Sequence, residues 1–225
     1  MTNKIAAANW KMNKSVKEAE KFVRKLKKVG VKNNVIIFPS FIALPAVSAV
    51  LGRENCGAQD ASCEESGAHT GEVSPDAIKE VADYVIIGHS ERRARGETNE
   101  ILNKKVKACS AAGLKIIFCV GEKEGEDRLA TLRSQIISGL AGTDALTDFV
   151  IIAYEPVWAI GTGKTPTTDE IAEAVKYIKS LYSCEVLYGG SVNAENAEEI
   201  LKTCDGVLVG SASLDFQSFL KIARS

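Results

Sequence analysis

The sequence predicts an α/β protein built on parallel strands, and two observations carry that expectation. Eight short apolar runs recur along the chain, at Ile5–Trp10, Val35–Pro39, Cys56–Asp60, Tyr84–Gly88, Lys115–Val120, Val150–Tyr154, Glu185–Tyr188 and Gly206–Gly210. Several, Tyr84-Val85-Ile86-Ile87 among them, lack the in/out alternation of a half-exposed strand. Continuous apolar runs belong to parallel strands covered on both faces. The second observation is that a helical pattern follows each run, which calls for right-handed βαβ crossovers. Eight such units fit a closed (β/α)8 barrel, although an open doubly wound sheet would give a similar pattern.

The helices are punctuated. Ser15 is placed to cap a helix running toward Gly30, with Phe22, Leu26 and Val29 on one stripe. Ser74-Pro75 sets a cap residue before a proline at the first helical position. Thr168-Asp169-Glu170 opens a further helix that ends near Tyr182.

Composition narrows the function. The chain has 225 residues, 45% hydrophobic and 25% charged, an ordinary globular balance within the size range of one barrel. Lysine and arginine total 28 against 29 aspartate and glutamate, a net charge of -1, so nothing draws the whole molecule to nucleic acid or an anionic membrane. An anionic substrate must be attracted locally. The N-terminus lacks a secretory h-region, and no apolar run approaches the roughly 18 residues needed to cross a bilayer. The six cysteines form no CxxC pair and there are two histidines, His69 and His89, so no metal and no cofactor is expected and reduced thiols in the cytoplasm are. With no linker or low-complexity tract, residues 1–225 are expected to form one catalytic domain.

In either architecture the site lies at the C-terminal ends of the strands. The first run ends in Asn9-Trp10-Lys11 and the fourth in Gly88-His89-Ser90-Glu91-Arg92-Arg93. The sixth leads into Glu155 and the stretch Pro156–Lys164, and the last two end in Gly189-Gly190-Ser191 and Gly210-Ser211. Singly these are ordinary: a lysine after a strand is usually solvated, and glycine pairs are usually turns. Together they supply a base, an electrophile, a positive charge and exposed backbone N–H groups for a phosphate. That set suits proton abstraction beside a carbonyl in a phosphorylated substrate. Pro156–Lys164, apolar first and glycine-rich after, reads as a lid that excludes water.

These residues resemble the triosephosphate isomerase family. The motifs are Asn9–Asn13, Gly67–Glu72, Gly88–Arg93, Cys119–Glu122, Ala153–Gly163 and Tyr188–Ser191, in order and spanning almost the whole chain. The resemblance implies a (β/α)8 TIM barrel, here a compact version with shortened outer helices, and a cofactor-free isomerase of glycolysis and gluconeogenesis. By the same resemblance Glu155 would be the base, His89 the electrophile, and Lys11 the neutralising charge. Asn9 would orient the substrate oxygens, Glu91 would hold Lys11, and the N–H groups of Gly161, Ser191, Gly210 and Ser211 would bind phosphate. Ser191 and Tyr188 would latch the closed lid through the amides at positions 163 and 166. The loop Glu64–Val73 would dock into a second copy, making a homodimer with Thr70 near the neighbour's site.

The chain departs from the family's pattern in places. It is shortened around Ala94–Arg95, Lys123–Arg128 and Thr203–Cys204, which puts stability rather than chemistry in question. Ser211 stands where the family usually has glycine, so a positive φ there would be costly. Pro166 has no N–H for the tyrosine latch. Two alternatives carry different signatures. A Schiff-base aldolase on the same fold wants a lysine where this chain has Glu155, and a catalytically dead barrel would not need Lys11, His89 and Glu155 together.

Overall fold

The computed structural model describes residues 4–29, 31, 33–143 and 146–225; the expected helix stop at Gly30 lies outside the described residues. The strands are β1 (Ile5–Asn9), β2 (Asn34–Phe38), β3 (Gly57–Ala58), β4 (Tyr84–Ile87), β5 (Lys115–Val120), β6 (Val150–Tyr154), β7 (Val186–Tyr188) and β8 (Gly206–Val209). All pair in parallel in the order β2-β1-β8-β7-β6-β5-β4-β3. A parallel bridge between Ile37 and Cys56 joins the two ends, so the sheet closes as a (β/α)8 barrel rather than opening as a doubly wound sheet. The expected strand ends at Trp10, Pro39, Gly88 and Gly210 fall just beyond the ladders, and the third strand shrinks from Cys56–Asp60 to two residues.

Burial explains why the strand runs looked featureless. Ile5, Ala7, Ile36, Phe38, Ile86, Ile117, Ile151 and Leu187 fill the barrel interior. Their neighbours Ala6, Ala8, Val35, Ile37, Val85, Ile87, Ile116 and Ile152 belong to the layer beneath the helices. The alternation is present, but both destinations are apolar.

The helices are α1 (Val16–Lys28), α2 (Leu44–Leu51), α3 (Pro75–Lys79), α4 (Ser90–Arg93), α5 (Asn99–Ala111), α6 (Arg128–Gly139), α7 (Thr168–Leu181), α8 (Ala197–Leu201) and α9 (Phe216–Arg224). Ser15 caps α1 in a reciprocal capping box with Glu18, and Phe22 and Leu26 are buried. Ser74 caps α3 ahead of Pro75. The cap of α7 is Thr167, one residue before the expected start, in a second box with Glu170. Two of the three shortened places fall at the short α4 and α8, and the third directly precedes α6.

A buried ion network ties α4 and α5 to the end of β3. Asp60 receives Arg92 at 3.0 Å and Lys105 at 2.8 Å, while Glu97 receives both cations at 2.7 Å. Lys105 and Glu97 are almost wholly buried, so each charge depends on the others. Lys105→Met would leave two buried carboxylates sharing Arg92. We expect it to cost about 3–5 kcal/mol, a fall of roughly 6–20 °C in the thermal midpoint. Thermal unfolding followed by circular dichroism checks this, and an unchanged midpoint contradicts it.

Candidate active site

The site is assembled at the C-terminal mouth of the barrel, where strands end and backbone groups are no longer used by the ladder. A cavity of about 490 Å³ opens there, lined by Asn9, Lys11, His89, Glu155, Gly161, Ser191, Gly210 and Ser211 together with apolar Leu208 and Ile160. Eight of the ten residues singled out from the sequence therefore share one space. Glu91 stands beside it in contact with Lys11, and Tyr188 lies buried beneath it.

Glu155 follows β6, and its N–H donates to Val120 O at 2.7 Å. It is 2% exposed, so its charge sits in a nearly dry setting. Its Oε2 accepts from the Ser90 N–H at 3.4 Å, and its Oε1 lies 3.5 Å from His89 Nε2. The side chain packs where a Cβ on Gly189 would come within 2.7 Å of it, so only glycine fits at 189. Cys119 lies below, fully buried, and burial together with the nearby Glu155 charge pushes its thiol well up. It stays protonated and adds no second negative charge.

His89 caps α4. Its Nδ1 accepts from the Glu91 N–H at 3.2 Å, which leaves the ring proton on Nε2, the nitrogen facing Glu155. The ring is buried, so its orientation is held.

Lys11 is the cation among the described residues lining the cavity. It has φ 52°, unusual for a residue with a side chain. Three contacts hold that conformation: its N–H donates to Asn9 Oδ1 at 3.0 Å, Gln59 Nε2 donates to its carbonyl at 2.8 Å, and its Nζ donates to Glu91 Oε1 at 2.7 Å. Burial works against the Glu91 charge, but the Lys11 hydrogen bond and charge outweigh it and hold the carboxyl below its usual range.

The segment expected to act as a lid begins as a 3-10 turn at Val157–Ala159 and continues through Gly161 and Gly163, both at positive φ. Glu122 anchors its base, accepting from Trp158 Nε1 at 2.9 Å and Tyr154 Oη at 3.2 Å. The Ser191 hydroxyl donates to Ala159 O at 2.6 Å. Tyr188 Oη is buried and has no partner among the described residues. Ser211 heads the 3-10 turn Ser211–Ser213, and its φ is not positive, so the expected strain is absent. No cluster of histidine, cysteine, aspartate or glutamate suited to a metal ion occurs among the described residues.

Two functional contacts escaped the sequence reading. Glu122 was visible inside the Cys119–Glu122 motif but had no assigned task. Gln59, a polar residue within the third run Cys56–Asp60, was the available signal for the support of Lys11.

Comparisons with known proteins point to one family. The family model described as triosephosphate isomerase matches residues 4–225. A triosephosphate isomerase of Aquifex aeolicus (strain VF5) is 41% identical over 244 aligned positions that cover 99% of each chain. One from Acetivibrio thermocellus is 45% identical, covering 98% of this chain and 97% of its own, and one from Endomicrobium trichonymphae is 43% identical, covering 100% and 99%. The 244 aligned positions exceed the 225 residues of this chain, so the Aquifex protein carries residues that this one lacks.

Proposed function

The chain belongs to the triosephosphate isomerase family, and on that premise we propose how its site performs the reaction. The activity is the interconversion of dihydroxyacetone phosphate and glyceraldehyde 3-phosphate, an isomerisation of glycolysis. The observation that carries the mechanism is that Glu155 and His89 Nε2 line one cavity side by side, 3.5 Å apart, with Nδ1 occupied as an acceptor.

The Glu155 carboxylate takes a proton from the carbon beside the carbonyl, and the electron pair moves onto the carbonyl oxygen. The Nε2–H of His89 and the Lys11 ammonium stabilise that oxygen as it gains charge. His89 gives its Nε2 proton to that oxygen and takes the proton of the adjacent hydroxyl, while Glu155, now protonated, returns its proton to the neighbouring carbon as the new carbonyl forms, so no atom is gained or lost. Asn9 orients the substrate oxygens. Backbone N–H groups of Gly161, Ser191, Gly210 and Ser211 hold the phosphate, and closure of Pro156–Lys164 keeps water from the intermediate.

What supports a homodimer is the surface beside the site. Residues 64–72 stand exposed, next to Met12, 96% exposed, and close to the exposed Phe41. A second copy docking through Glu64–Val73 would cover them. We further propose that residues 1–225 act as one catalytic domain, in the cytoplasm, where free thiols such as Cys63 and Cys184 persist. No helix among the described residues is long and apolar enough to cross a membrane.

A coupled assay of glyceraldehyde 3-phosphate isomerisation tests the mechanism. Glu155→Ala should lower turnover by on the order of a hundredfold or more while the circular dichroism spectrum stays that of the parent. Turnover within about threefold of the parent would remove Glu155 from the role of base. For the dimer, Thr70→Arg should dissociate the assembly and lower activity together, read by sedimentation and assay on the same sample. A fully active parent whose sedimentation shows a monomer at every concentration would contradict it.

A further inference from the structure

Arg93, the last residue of α4, makes contacts that the mechanism above leaves unused. Its guanidinium donates from Nε to Gly88 O at 2.8 Å, from Nη2 to Cys119 O at 3.0 Å and from Nη1 to Asn99 Oδ1 at 2.7 Å. It also lies over the Phe118 ring, 5.6 Å from the centroid.

The two carbonyls belong to strand ends that have parted. The β4–β5 ladder stops at Ile87 and Phe118, one residue before each of them. Both are acceptors, so they cannot bond each other, and a rigid cation with several donors is the group that can join them. Gly88 sits at φ 77°, where a Cβ would lie 3.2 Å from both Cys119 O and Arg93 Nη2. The approach is therefore tight as well as charged.

Each carbonyl leads directly to a reacting group. The Gly88 carbonyl is in the peptide that enters His89. Cys119 precedes Val120, whose carbonyl accepts the Glu155 N–H at 2.7 Å. We propose that Arg93 is a positioning residue that sets the placement of His89 relative to Glu155 by stapling the ends of β4 and β5. This rests on the isomerase reading of the site. Arg93 does not line the substrate cavity, so it acts through the two residues it places. Burial lowers the guanidinium's pKa, the charges of Glu155 and Glu97 oppose that, and the group remains a cation. The anchor of that cation is Asn99, at the start of α5. On its outer side Arg93 lines a groove of about 670 Å³ with Ser90, Asn99 and Gly121, open to small solutes.

That groove supplies the test. In the full-length enzyme, Arg93→Ala should lower kcat on the order of tenfold to a hundredfold, because displacing a base by about 1 Å costs that much. KM for glyceraldehyde 3-phosphate and the affinity for inorganic phosphate should change less than about threefold, since the phosphate end is untouched. Guanidinium at millimolar concentration, far below denaturing levels, should restore part of the lost kcat, whereas sodium chloride at the same ionic strength should not. A merely structural role would lower the thermal midpoint without that rescue. Arg93→Lys, which keeps the charge and can reach one carbonyl, should keep more activity than Arg93→Met. If Arg93→Ala does not fold, Arg93→Lys decides, with kcat reduced at least about threefold at unchanged KM supporting the proposal. Folded variants with kcat within about threefold of the parent, or a loss carried wholly by KM or unrelieved by guanidinium, overturn it. A parent without isomerase activity, or a Glu155→Ala variant that keeps it, is a failure of the underlying reading instead.

Discussion

Two backbone N–H groups in the first turn of α4 orient the chemistry of this barrel. The Ser90 N–H reaches Glu155 Oε2, and the Glu91 N–H reaches His89 Nδ1. The Glu91 side chain then holds Lys11. The proposed base, electrophile and cation thus come from three different strand ends but take their bearings from one turn of helix. A backbone donor suits this task because its position is fixed by the fold and costs no side-chain entropy. The requirement passes outward: α4 must leave β4 with no slack. Four residues cannot secure themselves, because an isolated turn of helix is unstable. Arg92 reaches Asp60 and Glu97 on one side of the turn, and Arg93 reaches Gly88 and Cys119 on the other. The buried ions near the site therefore serve a turn that could not hold its shape unaided.

The residues that face the cavity were legible in the sequence because strand ends are where a parallel barrel exposes chemistry. Asn9, Lys11, His89 and Glu155 could be picked out by position once the apolar runs were marked, and the structure brings them into one cavity. The third strand was harder. Its run contains Gln59 and Asp60, which look like the polar tail of a strand but leave the ladder early. Gln59 turns to the Phe38 and Lys11 carbonyls and Asp60 to Arg92 and Lys105, partners 21 to 48 residues away in sequence. Nothing local announces such contacts. Glu122 is similar: its partners Tyr154 and Trp158 lie beyond a whole helix, and they meet it because β5 and β6 are neighbours. Periodicity reports what a residue is buried against in general, not which polar atom it satisfies.

The departures from the family pattern separate into two kinds. Ser211 is accommodated without strain, since the turn it heads leaves it outside the positive-φ region. Its N–H therefore remains a phosphate donor in the proposed mechanism. Pro166 is different in nature, because a missing N–H cannot be recovered by adjusting a torsion. The Tyr188 hydroxyl, which by resemblance would have used that N–H, is buried without a partner among the described residues. A buried hydroxyl left unpaired costs about 1–3 kcal/mol. The same tyrosine packs edge-on against Tyr154, whose hydroxyl serves Glu122 at the base of the lid. Its ring keeps a structural task even where its hydroxyl has none.

Lys11 shows why the short chain could lose outer residues but not inner ones. A lysine at φ 52° carries local strain of about 1–3 kcal/mol. The strain aims the only cation among the described lining residues at the cavity, and with a net charge of -1 the rest of the molecule adds little attraction for a doubly negative substrate. Holding that conformation takes the Asn9 side chain from β1, Gln59 from beyond β3 and Glu91 from α4. Losing a residue between any of these elements and its loop would shift a hydrogen-bond partner by about 3 Å, the length of one extended residue, and break the contact. Shortening near α6 or at α8 moves no such group. The strand ends that meet Lys11 are therefore constrained by hydrogen-bond geometry, whereas the stretches before α6 and after α8 supply none of its contacts.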